Sequence, residues 1–223
     1  MERAKFVFFL VLFALFFNPN IRAQGIRMRP TDRLMAGVFT DHWRHVPGSV
    51  DPAAINRGFD LFLLQDMPLG TSRFSVAGGL AFFSHNLYTD HRYEKTNGTF
   101  DFVPIRQEYK NNKLNLNYLG IPVELRFRGR DRDRGLRLYL GFSAAVLVQA
   151  HTKFRGLDPA GIGEIKVKEN QPDQIRPFMM HAHFRVGIGK WSVYARVPLS
   201  EVFQDNSATG MTPVSLGLGL SIY

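Results

Sequence analysis

Apolar and polar positions alternate along most of this chain with a period of two. Over residues 136–151 the even positions are all apolar: Leu136, Leu138, Leu140, Phe142, Ala144, Val146, Val148 and Ala150. The odd positions, Arg137, Tyr139, Gly141, Ser143, Ala145, Leu147, Gln149 and His151, are mostly small or polar. A period of two over that length predicts a strand with one apolar face. The pattern returns at Phe178–Ile188, where apolar residues alternate with Met179, His181, His183, Arg185 and Gly187. It continues over 191–199, with Ser192, Tyr194, Arg196 and Pro198 on the second face. It returns over 214–222, with Ser215, Gly217, Gly219 and Ser221 on that face. A soluble sandwich rarely fills its polar face with glycine and serine or needs strands this long. A lipid-facing band around a tightly filled lumen accounts for both features.

The first half is less regular. Phe59, Leu61 and Leu63 alternate with Asp60, Phe62 and Leu64, and Phe74, Val76, Gly78, Leu80 and Phe82 alternate with small residues. Residues 34–43 predict a strand whose outer face the pattern does not select. Over 114–127 the phase changes. Leu119, Ile121, Val123, Leu125 and Phe127 read as outward, with Glu124 and Arg126 inward, whereas Leu114 and Leu116 occupy the other phase. Gly120 and Pro122 predict a bulge that absorbs the slip. The total is eight strands. Residues 44–55, 86–111, 152–175 and 200–212 form long polar connections, and 67–71, 128–135 and 189–190 short ones. Bacterial membrane barrels have short periplasmic turns and longer outer loops. The predicted fold is all-β: an eight-stranded antiparallel up-and-down transmembrane β-barrel of outer-membrane type, with both termini periplasmic. Residues 164–168 predict a β extension above the membrane.

The N-terminus sets the compartment. A start carrying Arg3 and Lys5, an unbroken apolar run from Phe6 to Phe17, and a small residue at Ala23 predict a secretory signal over 1–23, cleaved after Ala23. Residues 24–33 then form a periplasmic N-terminal segment, and 34–223 the barrel domain. The apolar run is too short to span a bilayer as a helix, which needs about 20 residues. No later run is longer, so a closed barrel is the remaining way to cross lipid. The sequence contains no cysteine, which excludes disulfide staples and thiol chemistry. The formal net charge of +9 suits an anionic surface. For an exported chain that means outer-membrane lipids and lipopolysaccharide rather than nucleic acid.

The segment 115–127, NLNYLGIPVELRF, resembles the PorT-like outer-membrane β-barrel family (the "porin family") of Bacteroidetes-type bacteria. So do 138–150, HTKFRG at 151–156, RVGIG at 185–189, 74–87 and the ending 216–223. The resemblance covers most of the exported chain, and its motifs are structural. It implies an eight-stranded barrel and, through the family's namesake, a part in an outer-membrane secretion or assembly machine. Barrels of this kind end on an aromatic residue in phase with the outer face. Here Tyr223 falls out of phase with Leu218, Leu220 and Ile222.

The candidate chemistry lies on the inward face: Asp60, Glu124, Arg126, Arg137, His181, His183, Arg185 and Arg196. Eight strands leave a lumen just wide enough for side chains, and buried charges must be paired. A structural plug of ion pairs is expected rather than a conduit. His181 and His183 share a face and could ligate a metal, but no third ligand accompanies them, so no metal or cofactor is expected. Ser84, His85 and His151 near outer strand ends would be the residues of a lipid-A-modifying enzyme, although their spacing specifies no catalytic triad. Arg128, Arg130, Arg132 and Arg134 crowd a turn assigned to the periplasm, where they could dock an acidic protein partner. The expected role is structural, binding or accessory at the cell envelope, without enzymatic activity.

Overall fold

A computed structural model describes residues 33–96, 98–129, 135–158, 163–170, 172–204 and 210–222. The expected signal segment and cleavage site, Arg130, Arg132, Arg134 and Tyr223 lie outside the described residues. Eleven strands are present among the described residues: β1 (Leu34–Arg44), β2 (Asn56–Pro68), β3 (Phe74–Tyr88), β4 (His91–Thr96), β5 (Thr99–Pro104), β6 (Tyr109–Arg128), β7 (Leu136–Leu157), β8 (Glu164–Asn170), β9 (Phe178–Ile188), β10 (Trp191–Pro198) and β11 (Thr212–Ser221). Eight of them pair in the order β6-β3-β2-β1-β11-β10-β9-β7, and β6 pairs with β7 to close the ring. Every pairing is antiparallel. The fold is therefore a closed eight-stranded antiparallel barrel.

Alternation builds the wall. Leu216 and Leu218, Phe142, Phe184, Val193 and Trp191 stand exposed on the outside. Their chain neighbours Ser215, Ser143, Arg185, His183 and Ser192 are buried inside. On β1, whose sequence selects no face, Met35, Phe39, Asp41 and Trp43 are buried. Its odd positions therefore line the lumen.

Two expectations about phase are corrected. No bulge lies at Gly120 or Pro122, because β6 keeps one register with β3 from Lys113 to Phe127. Leu114, Leu116 and Tyr118 point inward like Glu124 and Arg126. The lumen itself changes from polar to apolar along its axis, so the hydrophobic pattern inverts where the geometry does not. The irregularity sits on β7 instead. Asn117 pairs with Gln149 but Tyr118 with Leu147, which leaves Val148 as the extra residue. Beyond it the phase of β7 flips. Ala150 and Phe154 turn inward, whereas His151 and Lys153 lie on the outer side. A bulge that puts two residues opposite one has this effect.

β6 and β7 run 20 and 22 residues. A tilted membrane strand needs about 9–11, so both project well past the other strands. β8 pairs with the projecting end of β7 from His151 to Leu157. This is the β extension expected over 164–168. The sequence pattern did not reveal the hairpin of β4 and β5 inside the connection 86–111. That hairpin covers the lumen mouth. Tyr93 and Phe100 pack with Phe203, Val202, Met211 and Leu114 in one apolar cluster. Phe203 is the hub, 5.3 Å from the Tyr93 ring, 5.7 Å from Phe102 and 6.4 Å from Trp43.

Candidate functional site: the lumen network

Below the apolar mouth the lumen is a stack of ionic groups. At the end nearest the short turns, Asp66 on β2 accepts from the Ser75 hydroxyl at 2.8 Å and pairs with Arg128 at 2.7 Å. Arg126 reaches the same carboxylate at 3.5 Å. It is held chiefly by Glu124, which accepts from Nε at 2.8 Å and pairs with Nη2 at 2.7 Å. The other oxygen of Glu124 lies 3.0 Å from His183 Nε2 on β9, so one carboxylate ties β6 to β9 over Gly141 of the intervening β7. Arg126 lies over the Tyr139 ring at 4.9 Å. Arg137, the register partner of Gly187, is buried at this end.

One layer up, Asp60 on β2 accepts from the Tyr194 hydroxyl at 2.6 Å and pairs with Arg196, both on β10. The Arg196 guanidinium lies 4.6 Å from the Phe83 ring centroid and 5.0 Å from Phe39. Arg185 lies over Phe62 and Tyr194, at 4.9 and 5.2 Å, and donates to the Met35 sulfur. Aromatic faces thus stand in for part of the hydration these cations lose. The eight inward residues picked out by alternation are all buried, from 0% exposed for Glu124 to 7% for Arg137.

The third layer was missed. Asp41 on β1 lies 2.8 Å from His85 Nδ1 and accepts from the Ser215 hydroxyl at 2.6 Å. The β1 sequence is apolar on both faces, so nothing marked Asp41 as inward. Tyr194 shares the phase of Arg196, and that shared phase was the signal that could have identified it. Although serine, aspartate and histidine meet here, Ser215 bonds the carboxylate rather than the ring, and His85 Nε2 has no partner among the described residues. A hydroxyl is activated through the imidazole, and this geometry only orients the ring.

The other candidates separate. Ser84 is held by Asn115, whereas His85 points into the lumen. Chain neighbours on one strand face opposite ways, so the two cannot act together. His151 sits half-buried on the outer side. His181 packs edge-on to Phe83 at 4.7 Å, and its ring centroid is 6.3 Å from that of His183. Among the described residues no three His, Cys, Asp or Glu side chains converge as metal ligands.

The outer membrane protein beta-barrel domain model matches residues 58–200, well over half of the chain. Among solved structures, Ail, the attachment invasion locus protein of Yersinia pestis, solved with the heparin analogue sucrose octasulfate, is similar at 12% identity. That likeness covers 85% of this chain and 96% of Ail, with a TM-score of 0.36. No curated protein matches.

Proposed function

Because the chain belongs to the outer membrane protein beta-barrel domain family, we propose that it is a closed, non-conducting outer-membrane barrel that acts through the structure at its mouth. Its lumen serves as a frame. The observation that carries this reading is the double seal. Arg126 and Arg196 lie across the lumen, both fully buried and ion-paired, and the Phe203 cluster closes the mouth above them. An ion would have to displace both. The mouth, formed by the β4–β5 hairpin and β8, is left as the surface for binding or accessory work at the envelope. With the long connections outside, that surface faces away from the periplasm. The signal over 1–23 delivers the chain to this location after cleavage near Ala23.

A PorT-like place in a secretion or assembly machine would draw on the arginine turn. Its one described member, Arg128, is engaged by Asp66 and Ser75, so this reading rests on no observation of its own. A lipid-A-modifying role fares no better, because Ser84 and His85 face opposite sides of the wall. Planar-bilayer recordings of the pure protein test the proposal. The expected result is no stable ohmic step. A reproducible conductance would overturn the seal and the frame reading with it.

A further inference from the structure

On the outer side of the sheet, beyond the apolar band, three lysines occupy one rung. Lys113 on β6 is the register partner of Lys153 on β7, and Lys153 is that of Lys168 on β8. Like charges placed directly opposite one another destabilise a ladder. Arg57 joins them, since Arg57 and Lys113 both lie against the Tyr88 ring, at 5.5 and 5.7 Å. Lys166, two residues from Lys168 on the same face of β8, adds a fifth cation. The nearby carboxylate, Glu164, is already engaged by Arg155 and Lys110. Among the described residues no acid pairs with Arg57, Lys113, Lys153, Lys166 or Lys168.

The position indicates what neutralises them. Descending the wall from Lys113, the next rung holds Asn86, Asn115 and His151, and the one below it Ser84, Asn117 and Gln149. Phe82 and Leu119 then begin the apolar band. Neutral hydrogen-bonding groups followed by cations, in that order outward from hydrocarbon, match the level of lipid headgroups. Arg57 also lies at the edge of a shallow groove on the wall bounded by Val38, Val193, Leu216 and Leu218. That groove gives an acyl chain a seat beside a cation.

We propose that this rung binds the phosphate groups of an outer-leaflet glycolipid, held against the side of the barrel. Lysine ammonium groups serve phosphate as point charges, and basic residues at a membrane surface are drawn to anionic lipid. The bound phosphates supply the counter-charge that the ladder lacks. The inference rests on the outer-membrane reading, with the projecting ends of β6 and β7 outside.

The test compares the mature chain with Lys113→Gln, Lys153→Gln and Lys168→Gln combined. Each protein is folded into phosphatidylcholine vesicles that are plain, doped with bisphosphorylated lipid A, or doped with its dephosphorylated form. Urea midpoints and lipid retained in native mass spectrometry are read. Phosphorylated lipid A should raise the wild-type midpoint and be retained, and the triple glutamine variant should hold it on the order of a hundredfold more weakly. In plain vesicles that variant should be at least as stable as wild type, because the repulsion is gone. The matching triple arginine variant should keep the lipid. Equal retention by the glutamine variant, or equal retention of dephosphorylated lipid A by wild type, overturns the site. Inorganic phosphate raising the midpoint as far without lipid A would make it a free-anion site and overturn the lipid assignment. Failure of the wild type to fold into any vesicle would instead overturn the barrel reading, and the site with it.

Discussion

Gly141 faces the lumen directly beneath the Glu124–His183 pair, and a Cβ at that position would overlap both side chains. Its neighbour Phe142 stands on the outer wall. Gly141→Ser should therefore cost about 1–3 kcal/mol through overpacking. Phe142→Arg should cost roughly 2–4 kcal/mol by placing a cation in hydrocarbon. Urea titrations of folding into vesicles check both, and the controls separate the causes: Gly141→Ala should be as costly as the serine, and Phe142→Leu nearly silent. Glu124→Gln should cost more, on the order of 3–5 kcal/mol, because it leaves Arg126 buried beside a neutral amide. A loss under 1 kcal/mol in the same titration would mean that Asp66 neutralises Arg126 unaided. The inward charges were legible in the sequence because the outward positions immediately flanking each of them are apolar. Their partners across the lumen were not. Alternation says which way a side chain points and nothing about which strand lies opposite. Asp41 stayed hidden for a related reason, since β1 carries Val38 outward and Phe39 inward, leaving no contrast to read.

At the scale of elements, the eight wall strands followed from period two, and the two phase errors share one cause. A hydrophobic pattern reports environment, and it equals geometry only where the two faces meet different solvents. On β6 the lumen turns apolar at Leu114 and Leu116, which imitated a slip. On β7 the apolar Ala150 continued an apolar run through the Val148 bulge, which concealed one. The β4–β5 hairpin escaped notice because its strands are only six residues each and lie among polar loop residues. Its cover over the mouth depends on Phe203, which is fully buried among Tyr93, Phe102 and Trp43. Phe203→Ala should remove about 3–5 kcal/mol of local packing and loosen the cover without opening the barrel. Limited proteolysis should then cut within 91–104 while heat-modifiable mobility of the barrel is retained. Unchanged resistance would show that the hairpin is held by its hydrogen bonds, such as the one the Phe100 N–H donates to Gln174 Oε1 at 2.8 Å.

For the whole molecule, the account rests on one inversion. Apolar side chains cover the outside of the closed ring, while buried charges lie inside it among aromatic side chains, opposite to a protein that folds in water. Leu216, Leu218, Val193 and Trp191 are each more than half exposed, a surface that only a hydrocarbon surrounding satisfies at this extent. Dilution of the urea-unfolded mature chain into buffer, with and without phosphatidylcholine vesicles, tests this directly through heat-modifiable mobility and protease resistance. The account predicts a folded, resistant band only where lipid is present. A folded, resistant monomer in lipid-free buffer would contradict it.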